Sequence, residues 1–181
     1  RSLIFSDGIK RCVQTRQFHN IQKMFPRFNK SVEIITDSAD PRCSEIYQLR
    51  YKVLNTQSKK PSLFTAEHPQ VHLNERLEFE IRDDLDEADS TIQYALRCPK
   101  SNQIVSALRT VDANKSILEM ERHGWFTIPD DIKKQGVVEW SRLVSDKSVR
   151  GTNAAIILYV QSVVHMTEHY GIENVLFMCD S

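Results

Sequence analysis

Residues 137–178 read VVEWSRLVSDKSVRGTNAAIILYVQSVVHMTEHYGIENVLFM, and this stretch decides the fold. It opens with a β-rich run over 137–144 and passes through Gly151-Thr152 into an apolar segment over 153–170, which predicts a helix. Gly171 stands where that helix should end. The run 174–178 is apolar without alternation, as in a buried parallel strand. The order strand, helix, strand therefore predicts an α/β arrangement.

The preceding residues add antiparallel strands and a second helix. The runs 91–97 (TIQYALR) and 104–111 (IVSALRTV) are separated by a hairpin signal at 99–102. Asp40-Pro41 is a good helix start, and the helix should run to about Asn55 with Arg50 on its apolar stripe. An arginine there needs an anionic partner unless it snorkels from the edge of the stripe. The fold class predicted is mixed α/β, with a largely antiparallel central sheet and flanking helices.

Composition bounds the function classes. The chain has 181 residues, 24 basic and 24 acidic side chains and 40% hydrophobic residues, with no apolar run long enough for a membrane span. The zero net charge argues against a nucleic-acid partner. Four isolated cysteines (Cys12, Cys43, Cys98 and Cys179) read as free thiols in a reducing compartment, so we expect a cytoplasmic location. His165 and His169 lie four apart, but no third ligand suggests a metal site.

The predicted domain organisation is a basic N-terminal extension over 1–35, expected to be helical, followed by one domain over 36–181. The helix could pack on the domain, bind an acidic partner or membrane surface, or be the remnant of a targeting segment. The chain starts at Arg1 and stops at Ser181, so the domain could be truncated at its C-terminus. Residues 56–74 read as a long loop, and 75–89 as an acidic loop.

Three groups of residues could carry chemistry: Arg50, the run Asp84-x-Asp86-x-x-Asp89, and Glu139-Trp140-Ser141-Arg142. The aspartates lack the glycine and glutamate of a calcium loop. In a regular strand, Glu139 and Arg142 would point to opposite faces. We therefore predict a β-bulge within 139–142 that brings both to one side, as bulges do beside active sites.

In order and spacing, these groups resemble the bacterial acyl-homoserine-lactone (autoinducer) synthases. The residues that carry the resemblance are Arg50-Tyr51-Lys52-Val53, Asp84, Asp86, Asp89, Arg109 and Glu139-Trp140-Ser141-Arg142. The resemblance covers about residues 45–180 and implies that the domain over 36–181 is acyltransferase-like, with a fold related to the N-acetyltransferases. It also implies that a fatty acyl thioester is joined to the amine of S-adenosylmethionine. Lactone closure then releases methylthioadenosine and gives a quorum-sensing signal.

The resemblance also implies roles for single residues. Glu139 is expected as the general base and Asp86 as the partner of the substrate ammonium, with Arg142 as the third catalytic residue. Backbone N–H groups at the bulge would hold the oxyanion. The remaining substrate-binding residues are expected to be Arg50, Asp84, Asp89, Arg109, Trp125, Phe126 and Ser141, with Asp84 and Asp89 supporting the site or pairing with Arg50 and Arg142. No resident cofactor is expected.

The chain departs from the family pattern at several positions. Asp84 replaces a glutamate, Leu54 a phenylalanine and Ser106 a glycine, and no tryptophan follows Arg50 in the loop. The acetyltransferase pyrophosphate signature is also missing at 147–154, which slightly favours acyl carrier protein over coenzyme A as donor. A docking surface for an acidic carrier protein would be formed by Lys133, Lys134, Lys147 and Arg150.

Two alternatives stay open at the level of sequence. One is an N-acyl amino-acid synthase or another long-chain N-acyltransferase of the same fold. The other is a non-catalytic module that binds an acyl group or a protein partner.

Overall fold

The computed structural model describes residues 32–57, 68–124, 126–172 and 174–177. They form seven strands, four helices and one 3₁₀ turn. In chain order these are β1 (Val32–Ile35), α1 (Pro41–Thr56), β2 (Val71–Leu73), β3 (Phe79–Ile81), β4 (Thr91–Arg97), β5 (Ile104–Asp112), α2 (Glu119–Arg122), α3 (Asp130–Lys133), β6 (Val137–Ser145), the 3₁₀ turn (Lys147–Val149), α4 (Ala154–Tyr170) and β7 (Asn174–Phe177).

The central sheet has five strands in the order β1-β4-β5-β6-β7. The first four are antiparallel to their neighbours, and β7 runs parallel to β6 after the crossover through α4. Strands β2 and β3 form a separate antiparallel pair. The predicted fold class, a mixed and largely antiparallel sheet with flanking helices, is confirmed.

Helix α1 covers one face of the sheet, called face A below. Asp40 caps its first turn by accepting a hydrogen bond from the backbone N–H of Arg42, as predicted for an aspartate before proline. Its buried stripe packs against Ile35 of β1 and the small residues Ala95 and Ala107 of the central strands. Small side chains there let the helix approach closely.

Helix α4 covers the opposite face, called face B. Leu158 and Met166 of α4 pack against Tyr94, Leu108 and Val138 of the sheet. The helix ends at Gly171, whose φ of 63° is the left-handed conformation expected of a glycine C-cap. Strand β7 is half-buried to exposed along its length, so the prediction of a fully buried strand is wrong.

Three short strands were missed by the sequence analysis. Val32–Ile35, assigned to the N-terminal extension, forms β1 and pairs with β4, while the helix predicted before it lies outside the described residues. β2 and β3 lie within segments predicted as loops. Runs of three or four residues are too short for a periodic pattern, so only their pairing defines them. Among the helices of the described residues, none is long and apolar enough to cross a membrane.

Candidate active site

A row of buried polar side chains crosses face A. The strand register places Gln93 of β4 opposite Arg109 of β5, and Arg109 opposite Ser141 of β6. Arg109 is fully buried and donates from Nε to the Ser141 hydroxyl at 2.9 Å. Because the row lies between two apolar clusters, each of these polar groups must find its partner within the protein.

Arg50 has the anionic partner that its place on the stripe of α1 required. Its guanidinium donates to Asp86 at 2.7 Å and to the side-chain oxygen of Gln93 at 3.0 Å, and both charged side chains are almost wholly buried. Burial alone would raise the pKa of Asp86. The guanidiniums of Arg50 and Arg109 outweigh it and hold that pKa far below its usual range.

Four charged side chains close a ring beside this pair. Asp83 accepts from Arg109 at 2.6 Å and from Arg142 at 2.8 Å, one on each carboxylate oxygen. Glu119 does the same, with Arg109 at 2.7 Å and Arg142 at 2.9 Å. Each carboxylate therefore bridges both arginines, and neither arginine can move without breaking two ion pairs.

A bulge in β6 brings Arg142 to the ring. Ala107 pairs with Val144 and Arg109 pairs with Ser141, so Arg142 and Leu143 together face Leu108. Arg142 has a φ of 54°, a left-handed conformation that costs about 1–2 kcal/mol for a residue with a side chain. The predicted bulge is confirmed at Arg142 and extends one residue further.

Glu139 differs from every other carboxylate on face A. Its side chain is buried and accepts a long hydrogen bond, 3.5 Å, from the backbone N–H of Met120. Within the described residues it forms no ion pair, although Glu119 and Arg109 act on it from a greater distance. Burial, followed by the negative charge of Glu119, raises the pKa of Glu139 to about 7. A carboxyl with that pKa can exchange a proton near neutral pH.

The structure corrects the expected role of the acidic run. Asp84 is largely exposed and pairs with Arg122, and Asp89 is exposed as well. The acids that enter the site are Asp83 and Asp86, whereas Asp84, Asp86 and Asp89 were expected there. Asp83 and Asp86 are three residues apart, as Asp86 and Asp89 are, so spacing alone did not distinguish them. Burial in the folded chain distinguishes them. A tight turn, in which Asp86 donates its backbone N–H to the Asp83 carbonyl, directs Asp83 and Asp86 inward.

Asp86 is also corrected as the partner of a substrate ammonium. One of its oxygens accepts from Arg50 and from the backbone N–H of Asp83, and the other accepts from Gln93. Its carboxylate is therefore used within the protein to orient two arginines. Glu119 was missed altogether, since a lone glutamate in a mixed segment carries no pattern. Asp83 was the missed residue that its spacing from Asp86 could have revealed.

The aromatic predictions have separate outcomes. Phe126 is partly buried and packs against the apolar cluster that contains Val111 and Leu118. Trp125 lies outside the described residues. Trp140 points to face B and packs on Tyr159 with ring centroids 4.5 Å apart, and its buried indole N–H has no hydrogen-bond partner. Beside it is a narrow apolar crevice between β6, β7 and α4.

Of the predicted docking residues, Lys133 pairs with Glu121 at 3.0 Å. The other three, Lys134, Lys147 and Arg150, are exposed cations, although Arg150 also donates to the carbonyl of Gln57. In the part of the chain that the structure describes, no group of three or more histidine, cysteine or acidic side chains could hold a metal ion.

Comparison with known proteins yields likenesses to solved structures alone. No protein-family model matches the sequence, and no curated protein matches it. An aminoglycoside acetyltransferase from an uncultured soil metagenomic sample is 16% identical over 85% of this chain and 81% of its own, with a TM-score of 0.49. A ribosomal-protein-alanine N-acetyltransferase from Brucella melitensis biovar Abortus 2308 is 13% identical over 82% and 80%, with a TM-score of 0.47.

TofI, solved in a ternary complex with an inhibitor and MTA, is 20% identical over 64% of this chain and 56% of its own, with a TM-score of 0.44. These likenesses concern the course of the chain and not the chemistry of the site.

Proposed function

We propose that this chain is an N-acyltransferase in which Glu139 is the general base, and that its acceptor is the α-amine of S-adenosylmethionine. The observation that carries the proposal is the Glu139 carboxyl, which is buried and free of ion pairs within the described residues and has a pKa of about 7. Every other carboxylate in the cluster is engaged by an arginine. Within this cluster of described residues, Glu139 is the carboxyl left without an ion pair.

Acyl transfer needs such a group because an ammonium ion cannot attack a thioester. Glu139 takes one proton from the acceptor ammonium, and the neutral amine nitrogen attacks the thioester carbonyl. A carbon–nitrogen bond forms, the carbon–sulfur bond breaks, and the leaving thiolate takes up a proton to become a thiol. The second step follows from the proposed acceptor: its carboxylate oxygen attacks the carbon next to the sulfonium, which expels methylthioadenosine and closes the lactone.

Arg142 is suited to hold the carboxylate of that acceptor. Its guanidinium lies at the rim of the cluster, with 15% of the side chain exposed, whereas Arg109 beneath it is fully buried. The Nε–H of Arg142 is buried without a partner in the structure, which leaves one donor for a ligand. A carboxylate bound there would lie within the same cluster as Glu139.

The acyl donor would approach along the open end of β6. In the described residues β7 pairs with β6 only from Val137 to Trp140, so the β7-side edge of the bulge has no strand beside it. Backbone N–H groups there could stabilise the oxyanion of the tetrahedral intermediate. The apolar crevice beside Trp140 on face B is closed in this structure, so a fatty chain could enter it only if its lining side chains move apart. Acyl carrier protein is proposed as the donor, rather than coenzyme A, because the acetyltransferase pyrophosphate signature is missing at 147–154.

A reconstitution assay tests the proposal. The protein is incubated with S-adenosylmethionine and a panel of acyl carrier proteins and acyl-CoAs, and products are followed by mass spectrometry. We expect methylthioadenosine together with an acylated lactone, and a loss of roughly a hundredfold or more in Glu139→Gln. The matched control is Glu87→Gln, which makes the same change at an exposed glutamate and should leave the rate unchanged.

The other outcomes discriminate among functions. Thiol release without methylthioadenosine, with a different amine acylated, would replace the proposed acceptor and favour an N-acyl amino-acid synthase. Full activity in Glu139→Gln would refute Glu139 as the base. A folded protein that forms no product with any donor would favour a non-catalytic binding module.

A further inference from the structure

Glu119 is the member of the charged ring whose helix also contacts Glu139. Its two carboxylate oxygens accept from Arg109 and Arg142, as described above. It is also the first residue of α2, and the next residue, Met120, donates its backbone N–H to Glu139. One short helix therefore contacts both the ring and the base, and Glu119 is the acid it contributes to the ring.

We propose that Glu119 is a positioning residue for Glu139: by engaging Arg109 and Arg142 it keeps both guanidiniums away from the Glu139 carboxyl, and so leaves that carboxyl free to exchange a proton with the acceptor amine. The inference about catalysis rests on the proposed function. The inference about the protonation of Glu139 does not, because it can be measured without substrate.

The charge balance around the site explains why one acid matters. Three arginines (Arg50, Arg109 and Arg142) face three engaged carboxylates (Asp83, Asp86 and Glu119), so the paired cluster is neutral before Glu139 is counted. An ionised Glu139 adds a negative charge with no counterion. Loss of the Glu119 charge would give the cluster a net charge of +1, although Asp83 would still bind both Arg109 and Arg142. Glu139 is the buried carboxyl on which this excess positive charge would act.

The groups that face Glu139 come from each packed element. β5 contributes Arg109, and α2 contributes the carboxylate of Glu119 and two backbone N–H groups. β6 itself contributes Arg142, and Asp83 and Asp86 act through the arginines that they bind. On the other side, β7 places Leu176 opposite Glu139 and has no titratable side chain in its sequence NVLF. Among the acids of the ring, Glu119 is therefore the one whose charge acts directly on Glu139.

The test is a direct titration of Glu139 in Glu119→Gln, a change that removes the charge and keeps the shape. Carboxyl carbon resonances are followed by NMR in ¹³C-labelled protein, and the Glu139 resonance is assigned by its absence in Glu139→Gln. We expect its midpoint to fall by about one pH unit or more in Glu119→Gln, because the negative charge of Glu119 is removed and the positive charge of the arginines is no longer balanced. The acid limb of the kcat/KM profile should move down by the same interval.

The control is Asp84→Asn, which removes one negative charge from the exposed ion pair between Asp84 and Arg122 of α2. Its effect on the Glu139 midpoint should be small, because exposed charges are screened. Should Glu119→Gln fail to fold, Glu119→Asp keeps the charge but shortens the reach, and the midpoint should move in the same direction by less.

An unchanged Glu139 midpoint in a folded Glu119→Gln, or in Glu119→Asp if that is the variant that folds, would overturn the proposal and leave Glu119 as a structural ion pair. Full acyl transfer by Glu139→Gln would instead refute the proposed function, while the midpoint would still decide whether Glu119 controls the Glu139 proton. The two failures are therefore distinguishable.

Discussion

The burial of Glu139 without an ion partner should make the stability of the protein depend on pH in a defined way. The pKa of this carboxyl is about 7 in the folded protein, compared with an ordinary value of 4.5. Between these values the folded state holds a proton that the unfolded state has lost. Stability therefore decreases as the pH rises through this interval, which is opposite to the behaviour of an ion-paired carboxylate.

The magnitude follows from the size of the interval. A difference of about 2.5 units, at about 1.4 kcal/mol per unit, gives roughly 3 kcal/mol in the free energy of unfolding. Glu139→Gln replaces the protonated carboxyl with a neutral group of the same shape. The difference in the free energy of unfolding between Glu139→Gln and the wild type should therefore increase, in favour of the variant, by about 3 kcal/mol as the pH rises from 4.5 to 8.

The assay is urea unfolding of three proteins across pH 5 to 8. The difference between Glu139→Gln and the wild type isolates this carboxyl, because all other titrating groups are shared. Glu87→Gln, at an exposed glutamate, should give a curve parallel to that of the wild type. A Glu139→Gln difference that stays constant within about 0.5 kcal/mol would show that Glu139 titrates normally and would refute the reasoning.

Three further predictions concern stability and are checked by chemical unfolding. Arg142→Gly should be more stable than Arg142→Ala by about 1 kcal/mol, because both lose the ion pairs and only glycine relieves the φ of 54°; equal stabilities would argue against strain at the bulge. Gly136→Ala should lower the free energy of unfolding more than Gly151→Ala does. Both glycines have a positive φ, but only a Cβ at position 136 would lie 3.1 Å from a backbone oxygen. The reverse order of stabilities would contradict this contact. Arg50→Met should lower the free energy of unfolding by about 3–5 kcal/mol, because the buried charge of Asp86 loses one of its arginines. The double variant Arg50→Met with Asp86→Leu should recover part of that free energy. If it recovers none, the stability lost in Arg50→Met comes from packing and not from the unpaired charge.

Much of the fold could be predicted because its elements carry local patterns. Helix α1 begins after Asp40 as expected from its cap, and α4 ends at Gly171, where glycine adopts the left-handed conformation. The strands of the β4–β5 hairpin and β6 alternate or run apolar over seven to nine residues, long enough to be recognised. β1, β2 and β3 are three or four residues long, and only their partners across the sheet define them.

The residue types of the candidate site could be predicted from the sequence, but the ion pairs between its acids and arginines could not. The need for an anion beside Arg50 followed from its place on an apolar stripe, and a bulge near Arg142 followed from strand parity. Which acid would pair with which arginine did not follow. Asp84 and Asp89 were expected at the site, and the structure places Asp83 there instead, beside Asp86.

The sheet class, the two long helices and the charged residues of the central strands could all be predicted from the sequence, because each depends on a pattern among near neighbours in the chain. The packing of the elements, by contrast, sets which residues pair: Asp83 and Glu119 bridge Arg109 and Arg142, and Glu139 is left without an ion partner among the described residues. Ion pairs between residues 10 to 59 positions apart, and the desolvation that raises the pKa of Glu139, depend on how the elements pack. No local pattern in the sequence encodes that packing.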